Sequence, residues 1–471
     1  MKKTLLGTAA ALTLLSGPAL AGPALDTFVG LMLEGAEGRH TAERVEGAEE
    51  VYEGLEISAG GDLVRLEGAR LSLTEGSVSL IGNGVRFTRA EGGGGEIGQI
   101  DLSVPLAIAG LPVGAFRISE GGVRMSPELC AVLRTPISLR ASGLTLGGRV
   151  SAETVRLDAA VSGPDTVCAL DLTQGVTGLS LTDPAGLGLR VASQEISLRT
   201  PVTAGLPEVE TGETWSSRLT LSGTELLMNG AVELRADRIE GGARLIGDSL
   251  LLLAKAGHTR ALARAFLTAE PPAEQLPWAD LWNGMRAVVG DGDVRVSGLE
   301  VTGSGLSGLV GVAGPLDPGS RLELAGTVSK DTDGLRGQLT LDGSALALIG
   351  VDLALTTGPA DPSFNMLPPS ALLTGAPLNL AGAGLRLSDR GAGLLVGRLI
   401  GADPYALLET ALPAWVGPEK AALVISWLSE ARDGGEAALR AAPTEPVPVL
   451  TLGMMGLGDW SLLGTMLNVS R

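Results

Sequence analysis

Alternation of apolar and polar residues with a period of two, punctuated by glycine, restricts this chain more than any other feature. In Val155-Arg156-Leu157-Asp158-Ala159 every second side chain is apolar and those between are charged. The pattern recurs at 63–73, 85–88, 102–108, 116–118, 137–140, 196–199 and 232–235, and again at 294–296, 321–324, 339–341 and 385–387. Successive side chains on a strand point to opposite faces, so each run has one dry face and one wet face. The runs are separated by Ser-Gly, Gly-Gly, Asn-Gly, Asp-Gly and Gly-Asp pairs, the chemistry of hairpin turns. Turns fall roughly 8–14 residues apart, too close for crossover helices. The predicted fold class is mainly β: a long antiparallel meander, as a curled sheet or a sandwich, in two units with interspersed helical hairpins. A mean hydropathy of +0.29 opposes disorder.

Three segments break the alternation. Leu25, Phe28, Val29, Met32 and Leu33 have helical spacing. A second segment holds a Pro271-Pro272 turn and Trp282. A third carries Leu407, Leu408, Leu412, Trp415, Leu423, Ile425 and Trp427. The expected organisation is a signal peptide over 1–21, a helical segment over 22–53, and a first β-meander over 54–248. A helical hairpin over 249–290, a second meander over 291–402, and C-terminal helices with a closing segment over 403–471 complete it. Tryptophans in the helical segments are expected to staple helices across an apolar sheet edge.

The first residues point to export. Lys2 and Lys3 form a positive start, residues 5–15 are apolar, and Ala19-Leu20-Ala21 is a small-x-small cleavage signature. An apolar stretch of about eleven residues is too short to span a bilayer, which takes roughly 20; an uncleaved anchor is the alternative. Cleavage after Ala21 would leave 450 of the 471 residues, and loss of two lysines and no acid would take the formal charge from −18 to −20. No later segment reads as transmembrane. The acidic balance argues against nucleic acid, which needs clustered Lys and Arg, and against anionic membrane surfaces. The expected location is the periplasm, with cell-surface display as the alternative.

Cys130 and Cys168 are the only cysteines. In an oxidising compartment an even count suggests a disulfide, contributing on the order of 3–4 kcal/mol; two separately buried thiols are the alternative. No catalytic constellation is visible. His40 and His258 are the only histidines and lie over 200 residues apart, which argues against a Ser-His-Asp apparatus and a zinc site. Asp331-Thr332-Asp333-Gly334 and Asp291-Gly292-Asp293 read as turns instead of calcium loops, and the run 92–95 of glycines as a hairpin tip. Scarce aromatics weigh against a glycosidase and against the girdles of an outer-membrane barrel. Neither an enzymatic activity nor a cofactor is expected.

The signal-like start, the glycine-punctuated meander over 54–471, the scarcity of aromatics and the interspersed helical hairpins resemble the AsmA-like and YdgA-like families of Gram-negative envelope proteins. The passage from Pro446-Val447-Pro448-Val449-Leu450 to Leu467 is similar to the closing segment of alphaproteobacterial relatives. AsmA-like proteins are usually held in the inner membrane by an uncleaved helix, whereas this chain carries a short segment with a cleavage signature. The resemblance implies a curled sheet whose dry face forms a groove for lipid acyl chains and supports outer-membrane maintenance. Leu102, Val104, Leu106, Ile108, Val155, Leu157, Val232 and Leu234 are the candidate groove residues. The alternative is a closed core in a structural or protein-interaction module of the envelope.

Overall fold

The computed structural model describes residues 22–32, 37–59, 61–90, 92–110, 116–119, 122–125, 131–132, 134–163, 167–203, 214–246, 279, 282–283, 286–301, 321–343, 347–360, 377–416, 418–432, 434–449, 452 and 469–470. The chain is mainly β, and it divides into two compact units, the first made mostly of residues up to 231 and the second of 232–471 together with 118–123 and 210–216.

The first unit opens with helix α1 (Pro23–Met32), followed by β1 (Glu37–Arg39), β2 (Ala42–Glu46), β3 (Glu49–Ala59), β4 (Asp62–Leu73), β5 (Ser77–Thr88) and β6 (Gly94–Pro105). A 3-10 turn (Leu106–Gly110) follows, and β7 (Phe116–Ser119) and β8 (Gly122–Met125) pair with each other. The sheet resumes with β9 (Ile137–Leu146), β10 (Val150–Ser162), β11 (Val167–Thr182), β12 (Leu187–Thr203) and β13 (Thr214–Met228). Strand β3 pairs with β1, β2 and β4, and each strand from β4 to β12 then pairs antiparallel with the next, β6 with β9.

The second unit contains β14 (Ala231–Ile246), β15 (Val289–Val301), β16 (Leu322–Lys330), β17 (Gly334–Gly343), β18 (Ala347–Thr357) and β19 (Leu378–Asp389), paired in that order. Helices α2 (Ala392–Ile400), α3 (Pro404–Val416) and α4 (Pro418–Arg432) follow, then β20 (Ala437–Ala441), β21 (Val447–Pro448) and β22 (Val469–Ser470). Strands β20 and β21 pair with β19, and β22 with β20. Among the described pairings none joins the ends of either meander, so neither meander closes into a barrel.

Several boundaries differ from the expected ones. The helix predicted over 22–53 ends at Met32, and residues 37–59 form three strands. Gly47, at φ 68°, turns β2 into β3. In the acidic stretch Glu50, Val51 and Tyr52 are buried while Glu53 is exposed, so burial of Tyr52 and Leu55 decides the conformation. Pro105 has no N–H for a ladder, so β6 ends there and Leu106 and Ile108 sit in the 3-10 turn. Three C-terminal helices form, and they start at Ala392, ahead of the expected 403. Strand β15 begins at Val289, and of the predicted 249–290 hairpin Ala279, Trp282, Asn283 and Arg286 are helical while 247–278 lie outside the described residues. The predicted signal segment, Cys130 and His258 also lie outside them.

The core of the first unit forms where α1 lies on β3–β6. Leu25, Phe28 and Val29 pack onto Tyr52, Leu55, Ile57, Leu66, Leu71, Val78, Val85, Leu102 and Val104. Leu25, Leu55 and Leu71 are 0% exposed, and each such side chain contributes about 1.5–3 kcal/mol. A buried helix start needs acceptors for its free N–H groups. The Glu50 carboxylate supplies them, accepting from the N–H of Ala24 at 2.8 Å and of Leu25 at 3.0 Å.

The alternation does not run unbroken along these strands. In β3 the inward side chains are Tyr52, then Leu55 and Ile57; in β4, Leu66, then Ala69 and Leu71. Two outward residues, Glu53-Gly54 and Glu67-Gly68, separate the inward ones. The same doubled step occurs at Asn83-Gly84 on β5, Ser142-Gly143 on β9 and Thr177-Gly178 on β11. At each position the ladder is interrupted and resumes in the same register, as between Arg65↔Arg86 and Gly68↔Asn83. The glycines of these pairs on β3, β5, β9 and β11 have φ between 58° and 65°, a left-handed geometry that costs other residues roughly 1–2 kcal/mol. At Gly84 a Cβ would also sit 2.5 Å from the Glu67 carboxyl carbon. Since both strands of a pair flip phase together, the apolar face stays on one side.

Candidate functional site

In the second unit, register places apolar residues in rows across β15–β20. One row runs Val294, Gly326, Leu339, Val351, Leu385, Leu439; the next runs Gly292, Val328, Gly337, Leu353, Ala383, Ala441. The opposite face carries Asp293, Arg295, Thr327, Gln338, Asp352 and Arg386. The apolar rows are open: Leu339 is 46% exposed and Val328 42%, while Val294, Val351, Leu353 and Leu385 are exposed to nearly the same degree. Adjacent strands lie about 4.8 Å apart, so β15–β19 span roughly 20 Å of apolar surface.

Helix α4 covers this face at one end only. Trp427 and Ala431 pack on Ala437, with Leu387, Val424, Leu428 and Leu439 around them. Beyond the rows, the end of β18 is clamped by the segment before β15. Trp282 Nε1 donates to the Gly358 carbonyl at 2.9 Å, Arg286 Nε to that of Thr357 at 3.1 Å, and Asn283 exchanges two hydrogen bonds with Ala360. These two tryptophans therefore work at the margins of the apolar face, Trp427 by packing and Trp282 through its indole N–H.

A cavity of about 910 Å³ lies between β19 and α2–α4. The Asp389 carboxylate accepts from the N–H of Gly391 at 2.8 Å and of Gly393 at 3.1 Å, and from the Tyr405 hydroxyl. Burial alone would raise the Asp389 pKa; the Tyr405 hydroxyl and the backbone N–H groups outweigh it and hold the carboxyl below its ordinary range. Burial, then the bond to Asp389, push the Tyr405 phenol upward. Arg432 stands 5.1 Å over the Tyr405 ring and pairs with Asp403 at 2.9 Å. These polar groups satisfy one another and cap α2, which makes the cluster a structural junction. Among the described residues no group of three or more His, Cys, Asp or Glu is placed to hold a metal ion. His40 tilts against the Tyr52 ring, 5.0 Å away, and pairs with Glu43.

The residues predicted from sequence divide between environments. Leu102 and Val104 belong to the core under α1, and Leu106 and Ile108 pack against it; protein side chains fill that part of the face. Leu102, Leu139 and Leu157 form one cross-strand row, with Val155 in the next beside Ala141 and Val176. Val155 and Leu157 are half-buried. Val232 and Leu234 are half-buried on β14, Leu234 opposite Val301. Cys168 is buried and disulfide-bonded. The open rows on β16–β18 were missed as a site, although the alternation at 339–341 and 385–387 marks them.

No protein-family model matches the chain, and no curated protein is similar to it. Among the described residues no helix is long and apolar enough to cross a membrane.

Proposed function

We propose that this is a non-catalytic protein of the bacterial envelope, held in the periplasm, that binds or shields lipid acyl chains on the apolar face of β15–β19. The observation that carries this reading is the exposure of Val294, Val328, Leu339, Val351, Leu353 and Leu385 on one side of five consecutive strands. Large contiguous apolar patches are uncommon on soluble monomers and mark contact surfaces. A bilayer leaflet holds acyl chains about 15 Å long, half of a roughly 30 Å hydrocarbon core, and the open face is long enough to lay one flat. The resemblance to AsmA-like proteins supports the same reading, as does the absence of polar side chains from both open rows.

The test is purification without detergent, followed by lipid extraction with mass spectrometry and titration with a fluorescent fatty acid. The expected result is co-purifying lipid and saturable probe uptake, both lost in a Leu339→Asp, Val351→Asp double variant that keeps its far-ultraviolet circular dichroism. Thr340→Asp, on the polar face, should bind as the parent does. Lipid-free protein that takes up no probe, or uptake unchanged in the double variant, would overturn the reading.

A further inference from the structure

Glu50 is a buried carboxylate, 7% exposed, in the wall against which the chain enters α1. It accepts from Ala24 N–H, Leu25 N–H and the Tyr52 hydroxyl, the last at 2.8 Å. These are three dipoles and no cation: none of the ion pairs among the described residues includes Glu50. A buried charge without a counter-ion is costly. The Gly22 backbone lies against this carboxylate so closely that a Cβ on Gly22 would overlap it. The Gly22 N–H donates to the Tyr52 hydroxyl at 3.0 Å, and Glu43 lies 3.5 Å from the same oxygen.

Independently of this geometry, the small-x-small signature Ala19-Leu20-Ala21 places the scissile bond of an export leader between Ala21 and Gly22. The one backbone nitrogen that this cleavage would turn into an ammonium group is the nitrogen held at the acidic seat. We infer that the chain is matured by hydrolysis of the Ala21–Gly22 bond, and that the new Gly22 ammonium docks at Glu50, Tyr52 and Glu43 as the missing counter-ion. In the cleavage, water adds across the peptide bond, leaving a carboxylate on Ala21 and a protonated amine on Gly22; an endopeptidase of the export machinery is the catalyst. The requirement for glycine follows from the same contact, because any side chain at position 22 would displace the carboxylate that caps α1.

The titratable groups at the amine are Glu50 and Tyr52 on β3 and Glu43 on β2; His40 stands one step back, against the Tyr52 ring and Glu43. Burial pushes the Tyr52 phenol up, reinforced by its bond to Glu50, so it stays a neutral donor. The carboxylates favour the charged amine, raising its pKa above the ordinary 7.7–8.0 or so. The stabilisation is therefore fully present below the unfolded value and lost as pH rises through the folded one.

Two measurements test the inference on the full chain exported from a Gram-negative host. Intact-mass analysis and N-terminal sequencing should return a chain starting at Gly22; retention of residues 1–21, or a start elsewhere, overturns it. The Gly22 chain should then be compared with its Nα-acetylated form, which keeps the N–H donor and loses the charge. The free amine should unfold about 2–4 °C higher at pH 7, and the gap should close above the amine pKa and shrink in Glu43→Gln. A separate Glu50→Gln variant should remove the gap if it folds. Equal unfolding temperatures for the free and acetylated chains overturn the docking.

Discussion

The sheet under α1 and the sheet of β15–β19 are built from the same kind of strand, yet they end in opposite states. On β3–β6 the inward side chains meet a helix and reach 0% exposure at Leu55 and Leu71. On β16–β18 Leu339 and Val351 occupy equivalent central positions and stay exposed. Strand alternation alone therefore does not decide whether an apolar face becomes a core. What decides it is a partner layer, and α1 is seated by a buried carboxylate while α4 reaches only the β19–β20 end of the other sheet.

The sharpest way to break this contrast is to truncate one leucine in each sheet. Leu71→Ala should cost about 2–5 kcal/mol of unfolding free energy in urea, because the site is closed and a cavity is left. Leu339→Ala should cost less than about 1 kcal/mol, since its side chain is already half in water. Equal losses would mean that the second face is covered in solution. A smaller effect is expected from glycines. Gly84→Ala should lose about 1–3 kcal/mol, from left-handed strain and the clash with Glu67. Gly337→Ala, where a Cβ would meet nothing nearer than 3.8 Å, should stay within about 0.5 kcal/mol.

The smallest effect concerns the second buried carboxylate that caps a helix. The Asp389 pKa is depressed in the folded chain, so its contribution is present above the unfolded value of about 3.9 and lost as pH falls through the lower folded value. Asp389→Asn should lower the urea midpoint at pH 7, and the gap from the parent should shrink as pH falls below the unfolded value and close once it passes the lower folded one. A gap independent of pH would assign the effect to packing.

Much of the fold was legible in the alternation, including the strand at Val155–Ala159 and the meander order set by close turns. The misread segment 37–53 shows why legibility stops. Its Glu and Arg residues suit a helix locally, but Tyr52 and Leu55 have a core to join only as a strand. The doubled steps were also readable in principle, as Asn83-Gly84-Val85, Ser142-Gly143-Leu144 and Thr177-Gly178-Leu179. They passed as ordinary turn signals because a strand with a phase change looks in one dimension like two short strands. The apolar rows themselves were marked by the alternation at 339–341 and 385–387, but their exposure was not, since it depends on which layer arrives from elsewhere.

The paired phase changes carry a consequence for how such a chain can grow. A strand that flips at one row constrains both neighbours to flip at that row, so inserting or deleting a single residue sets it against two partners. Adding or losing a whole hairpin, with its own polar-glycine step, leaves every remaining pairing intact. Chains of this design can therefore lengthen or shorten in hairpin quanta, with the number of hairpins acting as a ruler for the apolar face they carry.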